Sequence, residues 1–84
     1  MNQFMSNLLE AIGTEVSGSH GDKPFLGRIV DSKPKRDFTR CGKWFGKDIQ
    51  ITVACEDTNE LFFIDGIALL NGKDSSFSNL HVYF

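Results

Sequence analysis

The sequence predicts one small domain that is mainly β, in which an N-terminal α-helix precedes a strongly bent, five-stranded antiparallel barrel. Three observations support this fold class. The first residues carry a helical apolar stripe, several short segments with alternating apolar side chains follow, and glycine-containing turns separate those segments. A length of 84 residues suits a single domain over residues 1–84 with a small core.

The first twelve residues predict a short amphipathic helix over about residues 3–12. Gly13 stands where such a helix would end. The apolar positions recur at helical spacing and form one stripe: Phe4, Met5, Leu8, Leu9 and Ile12.

The remainder of the chain predicts strands joined by turns. We expect them over about residues 14–20, 24–32, 48–56, 60–65 and 67–71, with an edge strand over about 79–84. The alternation is clearest in DIQITVACED, where Ile49, Ile51, Val53 and Cys55 share one face. A small bent barrel of this kind suits OB-type, SH3-like and Sm-like architectures equally.

The connections between the strands carry their own signals. The stretch GDK predicts a hairpin turn, and Asp65-Gly66 predicts a tight turn between the fourth and fifth strands. Gly27, inside the second strand, indicates either a sharp bend or a packing glycine. Residues 32–47 have no sustained periodicity and predict a loop or an irregular hairpin.

Composition and spacing argue against a catalytic or metal-binding role. Cys41 and Cys55 stand fourteen positions apart, which is not the spacing of a zinc or redox pair, so we expect free thiols in a reducing cytoplasm. His20 and His81 lie in unrelated segments, and the acidic residues have no metal-ligand spacing. We therefore expect no enzymatic activity, cofactor or metal. We also expect no signal peptide and no membrane span.

Residues 33–47, KPKRDFTRCGKWFGK, concentrate the positive charge of an acidic chain. They hold six of the nine Lys and Arg residues against one acidic residue, whereas the whole chain has a net charge of −2. The only tryptophan, Trp44, lies here with Phe38 and Phe45 nearby. Basic side chains bind phosphates and aromatic rings stack on bases, so this basic stretch is a candidate nucleic-acid surface. A solvated loop anchored by its aromatics is the simpler alternative.

Three short patterns follow one another along residues 4–71. The first is the helix running into Ile12-Gly13 and Val16. The second is a strand with Phe25, Gly27, Ile29 and Asp31, and the third combines Ile64, Gly66 and Ile67. In this order they resemble the Sm/LSm family of RNA-binding ring proteins. Asp65-Gly66 replaces the family's usual Arg-Gly, and Lys47-Asp48 aligns with its Met-Asn. These differences bear on base recognition, whereas assembly depends on backbone pairing between neighbouring subunits.

The resemblance implies a homo-oligomeric ring that binds single-stranded RNA or DNA in nucleic-acid processing. The loop after the second strand and the loop with Asp65-Gly66 would face the central pore. The residues predicted to contact nucleic acid are Lys35, Arg36, Phe38, Arg40, Lys43, Trp44, Phe45, Lys47, Asp48, Asp65 and Gly66. Three alternatives stay open from the residues alone. One is a monomeric SH3-like adaptor that binds a peptide with Trp44 and Phe45, and another is a monomeric OB-type single-strand binder. The third is a small inhibitor or immunity-type protein, for or against which the sequence has no feature.

Overall fold

The computed structural model describes residues 3–34, 39–40, 43–44 and 48–84. These residues form two helices and seven strands. In chain order the elements are α1 (Gln3–Leu9), β1 (Glu15–His20), β2 (Lys23–Pro34), β3 (Thr39–Arg40), β4 (Lys43–Trp44), β5 (Ile49–Cys55), β6 (Leu61–Asp65), α2 (Gly66–Asn71) and β7 (Phe77–Tyr83).

Five strands form one antiparallel sheet in the order β6-β5-β2-β1-β7, and β3 pairs with β4 in a separate hairpin. The predicted mainly β fold, with five antiparallel strands and an N-terminal helix, is confirmed. Within the described residues the backbone ladder does not close on itself, and β6 and β7 are its two edges. Closure into a barrel therefore stays a prediction.

Four of the five predicted strands are present, within two residues at each end. They are β1, β2, β5 and β6, which correspond to the expected strands over 14–20, 24–32, 48–56 and 60–65. The GDK turn also forms: His20 pairs with Lys23, and Gly21 adopts φ 64°. The fifth strand of the sheet is β7, which overlaps the edge strand expected over 79–84.

The predicted strand over 67–71 is wrong, because these residues belong to α2. Ala68 and Leu69 are both buried although they are adjacent, which a strand cannot do against one apolar layer. The helix ends at Gly72, whose φ of 83° and N–H bond to the Ala68 carbonyl form a left-handed C-terminal cap. Asp65-Gly66 is accordingly a strand-to-helix junction rather than a turn between two strands.

Helix α1 is shorter than predicted and ends at Leu9. The Glu10 and Ala11 N–H groups bond to carbonyls three residues earlier, at 3.1 and 3.3 Å, so the last turn is tightened. Gly13 then adopts φ 94° and redirects the chain into β1. Ile12 is 65% exposed and does not belong to the buried stripe.

The bend in β2 and the glycine within it are two separate features. The register between β2 and β5 shifts between Ile29 and Asp31, which marks a β-bulge. A Cβ added to Gly27 would lie 2.6 Å from the Ala54 carbonyl oxygen. Of the two alternatives for Gly27, a sharp bend or a packing glycine, the structure favours the packing glycine. The bulge begins two residues later, after Ile29.

The core lies between one face of the sheet and the two helices. Burying each Leu, Ile or Val of this kind contributes about 1.5–3 kcal/mol. The fully buried side chains are Leu8, Val16, Ile29, Ile49, Ile51, Val53 and Ile64. This packing holds the first residues of β5 against α2 and α1. In the described ranges, neither helix is long and apolar enough to cross a bilayer.

Candidate nucleic-acid interface

The basic stretch connects β2 to β5 at one end of the sheet. Of its predicted site residues, Lys35, Arg36, Phe38, Phe45 and Lys47 lie outside the described residues. Its described portion is a backbone hairpin in which Thr39 pairs with Trp44 and Arg40 with Lys43. The expected irregular hairpin is therefore present over these four residues, and β2 continues to Pro34 before it.

Asp48 is buried at the beginning of β5 and bridges two elements. It is 4% exposed, and its Oδ1 accepts hydrogen bonds from the Ile49 N–H at 2.7 Å and from the Ile67 N–H at 3.1 Å. Because Ile67 is the second residue of α2, Asp48 supplies a bond that an N-cap side chain usually makes. Asp48, one of the residues predicted to contact nucleic acid, thus has a structural role in the described part of the chain.

Asp65 and Gly66 form the junction between β6 and α2. Asp65 occupies the N-cap position with extended backbone, at φ −74° and ψ 143°, and its side chain makes no capping bond. Gly66 is buried, and a Cβ placed on it would lie 3.1 Å from Met5 Sδ and 3.2 Å from Leu8 Cδ1. These contacts are tight, so an added Cβ would require Met5 and Leu8 to move by a few tenths of an ångström, and no positive φ is involved.

The structure brings the two predicted pore-facing segments together. Asp48, which directly follows the basic stretch, accepts a hydrogen bond from the Ile67 N–H at the beginning of α2. Asp65 pairs in register with Gln50, two residues further along β5. Segments that are separated by about twenty residues in sequence therefore meet at the same end of the sheet.

A shallow groove of about 420 Å³ lies beside this junction and is acidic in its described part. Asp48, Asp65 and Asp74 line it, together with the single cation Lys73 and the first turns of α2. Carboxylates repel phosphate, so the described lining of this groove does not suit phosphate. The six Lys and Arg residues of 33–47 belong to the end of β2 and to the connection from β2 to β5.

An aromatic cluster that was not predicted from the sequence lies at the opposite end of the sheet. His20 stacks on Phe77 with centroids 4.8 Å apart, and Phe62 lies 4.9 Å from His20 and 5.1 Å from Phe25. These residues come from four different strands. The strand alternation contained a signal, because Phe62 falls on the same face of β6 as Ile64.

Comparison with protein-family models, with curated proteins and with solved structures found no match for this chain. Among residues 3–34, 39–40, 43–44 and 48–84, no three His, Cys, Asp or Glu side chains are grouped so that they could hold a metal ion.

Proposed function

We propose that this chain is a cytoplasmic, Sm-like subunit that assembles into a homo-oligomeric ring and binds single-stranded RNA or DNA. The basic stretch between β2 and β5 would contact the phosphates and stack on the bases. The role is one of binding rather than catalysis.

The contact between Asp48 and Ile67 carries this proposal. The resemblance expects the loop after the second strand and the loop of the Asp65-Gly66 pair to face one pore. A hydrogen bond of 3.1 Å joins the ends of these two segments. Both therefore lie at the end of the sheet where β2 ends and β5 begins. The basic stretch, with its six Lys and Arg residues, connects these two strands.

The two edges of the sheet support assembly into a ring of subunits. Within the described residues, β6 pairs only with β5, and β7 pairs only with β1. Unpaired edges invite pairing with another chain. Apolar side chains are exposed along both, with Leu61 and Phe63 on β6 and Tyr83 on β7. Pairing β6 of one subunit with β7 of the next is a head-to-tail contact, which forms a ring when the rotation from one subunit to the next closes.

Curling of the sheet into a barrel is part of the same proposal. Phe62 on β6 and Phe77 on β7 have ring centroids 5.5 Å apart, although three strands separate them in the sheet. Side-chain contact between the two edge strands supports a sheet that is bent almost to closure. Because the backbone ladder of the described residues stays open, the unpaired edges of β6 and β7 would still be available to neighbouring subunits.

Trp44 provides the first test, because it is the only tryptophan and lies in the basic stretch. Oligo-U and oligo-dT of about twelve nucleotides, titrated at low salt, should quench its fluorescence. The affinity should fall as salt rises, with a logarithmic slope of about −0.7 for each phosphate contacted. The absence of quenching by either oligonucleotide at low salt would overturn nucleic-acid binding.

Two charge reversals make this test specific. Lys43→Glu lies in the basic stretch and should weaken binding and reduce the salt slope. Lys23→Glu makes the same change at the opposite end of β2 and should leave both unchanged. Equal effects of the two variants would mean that net charge, and not the basic stretch, controls the interaction.

Light scattering on nuclease-treated protein tests the assembly separately. A ring predicts a single mass of roughly five to eight times the 9.4 kDa chain. A monomer that still binds oligonucleotide would favour the OB-type alternative. A monomer with no such binding would favour the peptide-binding one.

A further inference from the structure

A second cavity, which we call the end cavity, opens at the opposite end of the sheet from the basic stretch. It has a volume of about 230 Å³ and lies between the β1–β2 turn and the β5–β6 turn. Three side chains with flat rings line it: His20, Phe25 and Phe62. A cavity of about 150 Å³ holds benzene, and drug-sized ligands need about 300 Å³ or more. The end cavity thus has room for one side chain.

The aromatic lining is held in place before any ligand binds. Phe62 contacts both His20 and Phe25, and Phe77 packs behind all three at centroid distances of 4.8 to 6.0 Å. Phe77 itself is buried. A preorganised aromatic surface attracts cations through the negative faces of its rings.

Two carboxylates also line the end cavity, and backbone hydrogen bonds close the turn that carries them. Asp57 and Glu60 both border the end cavity. The turn is closed by hydrogen bonds from the Cys55 N–H to the Glu60 carbonyl at 2.8 Å and from the Asn59 N–H to the Cys55 carbonyl at 3.0 Å. In the described part of the chain the neighbouring Glu56 pairs with Arg28, whereas Asp57 and Glu60 have no ion pair.

The negative charge of these carboxylates also raises the pKa of a thiol in the cavity lining. Cys55 is a free, buried thiol that lines the cavity. Burial raises the pKa of this thiol first, and the charges of Glu60 and Asp57 raise it further. A group entering the cavity therefore meets a negative potential as well as aromatic walls. Lys23, also on the lining, is the one described cation that opposes it.

We propose that the end cavity binds the alkylammonium side chain of a lysine on a partner polypeptide. The apolar stem would lie against Phe25 and Phe62, and the ammonium would bind Asp57 and Glu60. Charge complementarity selects a cation, and the volume selects a single side chain. The proposal does not depend on nucleic-acid binding, because the two sites lie at opposite ends of β2 and β5.

The experiment compares two short peptides that differ at one side chain. Ala-Ala-Lys-Ala-Ala is titrated into the ¹⁵N-labelled chain against the same peptide with norleucine, which has a similar shape without the charge. The lysine peptide should shift the amide signals of His20, Asp57 and Glu60. It should bind about tenfold more tightly than the norleucine peptide. Equal affinities, or no shifts at millimolar peptide, overturn the proposal.

Two variants test whether the end cavity prefers a positively charged side chain. Glu60→Gln should weaken lysine-peptide binding several-fold, and Lys23→Met should strengthen it. Both residues are exposed, so the fold should persist, as the amide spectrum of each variant will show. Weaker binding by Lys23→Met would mean that charge does not control binding of the lysine peptide, and it would overturn the proposal.

Cys55 provides an independent readout. In a Cys41→Ser background it is the only thiol, and the lysine peptide should slow its alkylation by iodoacetamide.

Butylammonium that binds as tightly as the peptide would overturn the assignment to a polypeptide. Shifts at the end cavity that depend on protein concentration alone would assign it to a second copy of this chain, which also overturns the proposal.

Discussion

Phe62 and Phe77 lie on the two opposite edge strands of the sheet, yet their ring centroids are 5.5 Å apart. The contact draws β6 and β7 towards each other at the end of the molecule where His20 and Phe25 also pack. It therefore couples the curvature of the sheet to the walls of the end cavity.

Truncating Phe62 should destabilise the fold much more than truncating its neighbour Phe63. Phe62 is half-buried in the aromatic cluster, whereas Phe63 is 61% exposed on the other face of β6. We expect Phe62→Ala to lower the free energy of unfolding by about 2–3 kcal/mol, below the usual cost for a fully buried ring. Phe63→Ala should change it by about 0.5 kcal/mol or less. Urea denaturation measures both, and equal losses would mean that the cluster does not stabilise the fold.

Gly27→Ala tests the close approach of β5 to β2. The added Cβ would lie 2.6 Å from both the Ala54 carbonyl oxygen and Val53 Cγ1, so the strands must separate. We expect a loss of about 2–3 kcal/mol in thermal or urea unfolding. Gly21→Ala is the matched control: its Cβ meets no atom within 4 Å, and only its φ of 64° is unfavourable. That variant should lose about 1 kcal/mol.

Removing the Asp48 carboxylate should uncouple β5 from α2. Asp48→Ala leaves the buried N–H of Ile49 and the partly buried N–H of Ile67 without this acceptor, and we expect a loss of about 2–3 kcal/mol in urea unfolding. Asp48→Asn keeps an acceptor oxygen, so its free energy of unfolding should fall less than that of Asp48→Ala. Asp74 bonds two backbone N–H groups in the same way, at 2.7 and 2.8 Å, but it is exposed. Asp74→Ala should lose only about 1 kcal/mol, and a larger loss than that of Asp48→Ala would contradict the bridging role.

A charge on the β6 edge should prevent assembly if subunits pair there. Phe63→Lys places a cation beside the unpaired edge, a change that blocks strand addition in natural sheets. We expect the light-scattering mass of this variant to fall to that of the monomer. Val30→Lys makes the same change at an exposed apolar residue in the bulge of β2, a strand that has a neighbour on each side in the sheet, and should leave the mass unchanged. An unchanged mass for Phe63→Lys would exclude pairing through this edge.

The raised pKa of Cys55 predicts a loss of stability in alkali. A thiol whose pKa is higher in the folded state than in the unfolded state stabilises the fold below the unfolded pKa, and this contribution is lost as the pH rises through the folded pKa. A Cys41→Ser variant should therefore lose stability above the pKa of an ordinary thiol. A Cys41→Ser/Cys55→Ser variant should not show this component. Urea unfolding as a function of pH compares them, and parallel curves would contradict the prediction.

Part of the candidate site was accessible from sequence and part was not. The concentration of charge in 33–47 is a property of composition, and a strand over about 48–56, observed as Ile49–Cys55, follows from the alternation of its side chains. The role of Asp48 was not accessible, because it depends on an N–H nineteen residues away. The end cavity was also hidden, since its lining comes from β1, β2, β5, β6 and the turn before β6.

Elements with an unambiguous side-chain period can be predicted from the sequence. The alternation predicts β5, the GDK turn predicts the connection from β1 to β2, and the helical stripe predicts the start of α1. The conformation of residues 66–71 depends on tertiary contacts, because a short apolar run suits a strand or a helix equally. Gly66 packs closely against Met5 and Leu8, and Asp48 bonds the Ile67 N–H, so helix is favoured there by contacts with distant residues. The approach of Phe62 to Phe77 has the same cause, because the bending of a sheet depends on all of its strands together.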